Sequence, residues 1–507
     1  MFTSATAIRL GSAVLVTVLL GATPLVAVPT GAAPAPRHAE RWAGYEIPRT
    51  GTAAGGWIGG YRIGHTPVFL VTPTREPNRR GYQRARLVDD LGGRGGATRA
   101  ETERAAWILS KYGGYRDATQ AAAVDASVYA LLVGHRWSTS GDRGARRIAQ
   151  TPELTTVRRF ARIMLGQSRR HAGQYRARVK ATGADAGGTI EATVIVADGH
   201  GRPAPGLPVT VAATGATAVD TVTGDNGRAV ARFAASRAGW HRIRATVTQV
   251  PDHRLHLRLP VRRGQAAAAE GGDRRTLVPS TRAAVRGPQA LDLRASPAIL
   301  SVGKAARVIA TVTGDGTSRS AVATLYGPYA SDSATRCAGA AVGTVRATVR
   351  GDGHYTLPAL TPRASGYYKW RVAVAGTPTA IPAAACEAVT KVQAVAAVSV
   401  RAEASEMRPG PAQVRVGLSG LPTYPSVVVT LSAYGPYSTL QALTNSGCSG
   451  PIAASKDQEM NGGDTLFINP YLSQAGYYAL QATVPSGDLR VGAQSPCLAP
   501  STFVHVS

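Results

Sequence analysis

Apolar positions along this chain change period once, near residue 174. Between 98 and 171 they recur at steps of three and four, as on one face of a helix, and beyond 174 they alternate, as along half-buried strands. Three helices are predicted. The first opens on the capping box Thr98-x-x-Glu101, runs through Ala105, Ile108 and Leu109, and stops at Gly113–Gly114. The second starts at Asp117, carries Ala121, Val124, Val128, Leu131 and Leu132 on one face, and ends at Gly134. The third begins Thr151-Pro152-Glu153 and buries Val157, Phe160, Ala161, Met164 and Leu165. Ahead of them, GGWIGGYRIGHTPVFLVTP alternates around Trp57, Tyr61, Ile63, Val68 and Leu70, which predicts strands followed by a loop from Thr74 to about Gly96.

After 174 the segments GTIEATVIVAD, GLPVTVAATG, GRAVARFAAS and WHRIRATVTQ are strands separated by turn chemistry such as GDNG. They predict one β-sandwich over 176–262. Residues 263–288 are mostly small and charged and read as a linker, with an edge strand as the alternative for part of it. The rest is an internal repeat over 289–395 and 396–507. TLYGPYAS at 324–331 matches SAYGPYST at 432–439, and ASGYYKWRVAV at 364–374 matches QAGYYALQATV at 474–484. Each copy holds two cysteines 49 positions apart, which predicts the disulfides Cys337–Cys386 and Cys448–Cys497. Each would stabilise its module by about 3–4 kcal/mol. Tyr367–Tyr368 and Tyr477–Tyr478 follow a glycine at a strand start and predict sandwich corners, one ring inside with its hydroxyl on nearby backbone.

Length, leader and charge refine this picture. A chain of 507 residues exceeds one core. Residues 1–36 read as a secretory signal: Arg9, an apolar run from Gly11 to Val28, then small residues and prolines. That run also approaches the length of a membrane span, so an uncleaved anchor is the alternative. No second such run follows. The formal net charge is +27, nearly all from arginine. It favours attraction to polyanions such as anionic cell-wall polymers, while export and the lack of a nucleic-acid motif exclude nucleic acid as the expected partner.

The stretch KYGGYRDATQAAAVDASVYALL, 111–132, resembles the TQxAxW-type helix of bacterial thioester domains, adhesin modules of Gram-positive surface proteins with an actinobacterial branch. In that family a glutamine side chain is joined to an upstream cysteine as a buried thioester, which an amine on the target opens to leave a covalent bond. The resemblance covers about 42–175 and implies an α+β head, 40–175, followed by Ig-like stalk modules. It assigns the glutamine to Gln120, with Asp117, Thr119 and Ala121 in the surrounding motif. The family's cysteine phrase aligns with Phe69-Leu70-Val71-Thr72-Pro73, so Leu70 stands at the cysteine position, and Tyr129 stands where tryptophan is usual. No cysteine precedes Cys337, and without a thiol there is no thioester. Gln120, at the third position of its helix, is then a capping or packing residue.

Other chemistry is not indicated. HExxH, GxSxG, Walker and CxxC motifs are missing, and His65, His135, His171 and His200 lack metal-ligand spacing. Asp252-His253 forms no constellation visible in sequence. The expected fold class is mixed, an α+β head and three all-β Ig-like sandwiches. The expected function is that of a secreted, monomeric, non-enzymatic, adhesin-like protein needing no cofactor or metal. It would bind an extracellular protein or glycan without a covalent bond. The alternatives are a basic protein held electrostatically on anionic cell-wall polymers, and ligand binding lodged in the tandem repeats.

Overall fold

The computed structural model describes residues 38–48, 56–92, 96–333 and 337–507. The expected signal segment, 1–36, lies outside the described residues. The chain divides into two compact units, 1–174 with 251–274, and 175–250 with 275–507.

In the first unit, strands β1 (Glu40–Ile47), β2 (Gly56–Ile63), β3 (Thr66–Leu70) and β4 (Arg86–Val88) precede helices α1 (Arg99–Tyr112), α2 (Ala118–Leu132), α3 (Asp142–Ala149) and α4 (Leu154–His171). Two further strands come from much later in the chain: β5 (Leu255–Arg258) and β6 (Ala268–Glu270). The sheet order is β1-β2-β3-β6-β5-β4, all antiparallel. The expected linker, 263–288, is thereby corrected: its first part is an interior strand. All three residues of β6 are buried, paired with β3 through Ala268 opposite Leu70. The head is also longer than 40–175, because 251–274 completes it, and the sandwich expected over 176–262 ends its first segment at Val250.

The helices form for the reasons legible in their termini. Thr98 and Glu101 make the reciprocal capping box of α1. At its other end Gly113 is obligatory: a Cβ there would lie 2.6 Å from the Leu109 carbonyl oxygen and 2.8 Å from the Gly271 Cα. Asp117 caps α2, whose alanines Ala121, Ala122 and Ala123 are buried where it packs on the sheet. Thr151 does not cap α4. Its hydroxyl donates to the Ile148 carbonyl and so closes α3, a helix between Gly134 and Thr151 that the apolar pattern does not predict.

The second unit holds three sandwiches. The first pairs the sheet Arg228–Ala234, Thr189–Ala197, Arg176–Ala181 with a larger one that includes Gly239–Pro251 and Ser280–Arg286. Ile190, Ala192, Val194 and Val196 point inward at alternate positions. The two repeats share one topology. Ser318–Tyr329 lies between Ala341–Arg350 and Gly366–Val374 in one, and Val427–Tyr437 lies between Ile452–Met460 and Gly476–Val484 in the other. The pairing slips at the same place, Tyr326/Tyr329 and Tyr434/Tyr437. The second copy adds a short helix, Leu440–Ser446, just before Cys448.

Candidate functional site

Gln120 and Leu70 sit in different surroundings. The Gln120 amide donates to Asp117 Oδ1 at 2.7 Å, and its Nε2 donates to the Tyr112 carbonyl at 3.1 Å, one of the carbonyls left over at the end of α1. Thr119 Oγ1 lies 2.6 Å from the Tyr45 hydroxyl. Ala121 is buried. Leu70 belongs to an apolar cluster with Tyr61, Ile63, Val68, Tyr82, Ala266 and Ala268. Gln120 therefore joins α1 to α2, and Leu70 is core.

Deeper in α2, Asp125 makes a buried ion pair with Arg147 of α3, Oδ2 to Nη1 at 2.5 Å. The other Arg147 nitrogen, Nη2, donates to the Trp57 carbonyl at 2.6 Å, and the guanidinium lies over the Tyr129 ring at 4.5 Å. Burial pushes the Asp125 carboxyl up to about 6 despite the facing arginine. This is a packing knot that ties α3 to α2 and β2, not a site open to a ligand.

A second polar cluster lies where β5 and β6 meet the end of α1. His256 Nε2 is 3.2 Å from Asp252 Oδ2, and His256 Nδ1 is 3.2 Å from Asp273 Oδ2 and 3.7 Å from Glu270 Oε2. Arg258 Nε donates to Glu270 Oε1. Ser110 of α1 donates to the Asp273 carbonyl and accepts from the Asp252 amide at 3.1 Å. The hydrogen bond to Asp252 raises the His256 pKa against its burial, with help from the Asp273 and Glu270 charges. Burial, reinforced by Asp273, raises that of Glu270. Sequence reasoning missed this group. The adjacent pair Asp252-His253 is visible, but the central histidine is His256, whose partners are Asp252 four residues before it, Glu270 on the opposite strand and Asp273 in the turn after that strand.

In the repeats, both expected disulfides are present, Cys337–Cys386 and Cys448–Cys497. The buried tyrosines Tyr368 and Tyr478 donate to the carbonyls of Ala364 and Gln474 at 2.8 and 2.7 Å, the expected corner. Tyr329 and Tyr437 of the YGPY motifs donate to the Ala338 and Gly447 carbonyls, each next to a disulfide cysteine.

Loops 375–382 and 485–492 occupy equivalent positions in the two repeats, and each reaches the module before it. Gly287 donates to the Thr379 carbonyl at 2.9 Å and accepts from the Ile381 amide at 2.8 Å. Ala394 and Ala396 donate to the Leu489 and Val491 carbonyls at 3.0 and 3.1 Å. The first loop is held by Asp315, which accepts from Thr377 and Thr379 and pairs with the buried Arg319. Asp488 in the second loop accepts from Lys391 and from the Tyr367 hydroxyl at 2.6 Å.

No curated protein matches this chain. Among solved structures, the Escherichia coli adhesin FdeC is 17% identical over 66% of this chain and 97% of its own, with a TM-score of 0.28. Invasin, a bacterial integrin-binding protein, is 14% identical over 66% of this chain, with a TM-score of 0.27, and the chain covers 60% of its length. The Yersinia pseudotuberculosis adhesin InvE is 14% identical over 43% of this chain and 58% of its own, with a TM-score of 0.20. Residues 175–254, which take in the first segment of the sandwich that interrupts the head and run four residues past it, match the family of bacterial Ig-like domains, group 1.

Proposed function

We propose that this is an extracellular, adhesin-like, non-enzymatic protein whose head descends from thioester domains and binds without forming a covalent bond. The observation that carries the reading is the use of Gln120. Its amide nitrogen is engaged with Tyr112, and the position assigned to the family's cysteine is Leu70, part of an apolar core. Export is supported by the two disulfides and the Ig-like match at 175–254. No helix among the described residues is long and apolar enough to cross a membrane. The ligand is an extracellular protein or glycan, met by a monomer.

Intact-mass measurement of the secreted chain tests the head. The expected mass is the sequence mass less the four hydrogens of two disulfides, unchanged after methylamine. A further loss of one ammonia, or capture of methylamine, overturns the non-covalent reading.

A second reading, electrostatic retention on anionic cell-wall polymers, is favoured by the net charge of +27. Salt separates the two: purely electrostatic retention collapses at about 1 M salt, where the screening length is about 3 Å, and a specific site survives it.

A further inference from the structure

The His256 cluster has no part in the proposed function and is independent of it. β5 and β6 run antiparallel with Leu257 opposite Ala269, a register that brings His256 across from Glu270. Nε2 faces Asp252 Oδ2 at 3.2 Å, and a neutral ring that donates there carries its lone pair on Nδ1. That lone pair faces two carboxylate oxygens, from Asp273 and Glu270. Three such atoms together are a donor set for a cation. Asp273 Oδ2 is shut off from solvent and faces Nδ1 at 3.2 Å. Arg258 meets Glu270 from its other oxygen.

A metal ion suits this geometry. The three ligand atoms lie within 4.8 Å of one another. A tetrahedral cation with bonds of about 2.0–2.1 Å sets its ligands about 3.3 Å apart, close to the observed 3.2 and 3.7 Å. The cavity, whose polar lining is Ser110, Asp252, Arg254, His256, Glu270 and Asp273, has a volume of about 10 Å³, room for a single ion or water. One imidazole with two carboxylates is a donor set for a first-row divalent cation rather than for calcium or magnesium, which prefer oxygen alone. We propose that His256 Nδ1, Glu270 Oε2 and Asp273 Oδ2 form a site for one zinc-type divalent cation. The ion fastens β5, β6 and the following turn together, and Ser110, bonded to the Asp273 carbonyl, extends the tie to α1.

The test uses the tag-free full chain, stripped with chelator and titrated with zinc chloride, with magnesium and calcium chloride as controls. Expected are one zinc per chain by elemental analysis after dialysis and a higher melting temperature of the head with zinc alone. Asp273→Asn, at a side chain 39% exposed, is expected to keep the fold and weaken zinc binding on the order of 100-fold, as is His256→Ala. Asp252→Asn, which only orients the ring, is expected to weaken it about 10-fold. His65→Ala, at an exposed histidine, should change nothing. Equal zinc retention by wild type and folded Asp273→Asn, or no stoichiometric zinc in the wild type, overturns the site.

Discussion

Ala380 and Arg490 occupy equivalent positions in the two repeats, and each pairs along the backbone with the last strand region of the module before it, Ala380 with Gly287 and Arg490 with Ala394. The loop closes on itself identically in both, Thr377 with Ala380 and Gly487 with Arg490. Junctions that would otherwise be plain linkers are thus hydrogen-bonded extensions of the sheets.

The second junction rests on Asp488, which gathers Tyr367 and Lys391. Asp488→Ala is expected to loosen it without unfolding either repeat. Amide exchange at Ala394 and Ala396 should accelerate on the order of tenfold, with amides of the core strand Gly366–Val374 unchanged.

The first junction is expected to weaken in acid. Burial of Asp315 opposes its ionisation, but hydrogen bonds from Thr377, Thr379 and Thr317 outweigh this and hold the carboxyl well below the usual range. A depressed acid stabilises the fold fully above its unfolded value, near pH 4, and loses that contribution as the pH falls from there. Urea midpoints of the repeats should therefore drop between pH 4 and pH 2 in the wild type. They should change less in Asp315→Asn, which starts lower.

The buried pair in the head responds differently to one substitution than to two. Arg147→Met leaves Asp125 alone in the core and should destabilise the head by about 3–5 kcal/mol in urea titration. Asp125→Leu combined with Arg147→Met removes both charges and should recover much of the loss, because no orphaned ion remains.

Cys448→Ser with Cys497→Ser opens the loop that the second disulfide closes. The last sandwich is expected to lose about 2–5 kcal/mol, and calorimetry should show its transition falling while that of the head stays in place.

Much of the sandwich architecture was legible because its signals are local or repeated. Alternation marks Ile190 through Val196, duplication marks Tyr368 and Tyr478, and equal spacing pairs the four cysteines. α3 was not legible, since its inward face is Gly144, Ile148 and a buried arginine, and no apolar period results. β6 was hidden for a similar reason. Three residues, two of them alanine, are too short to alternate, and the buried Glu270 reads as exposed until Arg258 and His256 are found beside it. Asp117 was legible as the cap of α2, but the Gln120 side chain does not cap that helix: its partner, the Tyr112 carbonyl, depends on how α1 and α2 meet.

The return of 251–274 to the head's sheet sets the order in which this protein can be made. When β3 leaves the ribosome its outer edge has no partner, and it stays open until all of Tyr175–Val250 has been synthesised. The inserted sandwich can meanwhile assemble its sheet of Arg176–Ala181, Thr189–Ala197 and Arg228–Ala234, whose pairings are nearer in sequence. The head's sheet closes when Ala268–Glu270 emerges, before the inserted sandwich receives its last strands, Arg274–Leu277 and Ser280–Arg286. A fragment ending at residue 175 contains every helix of the head but neither β5 nor β6.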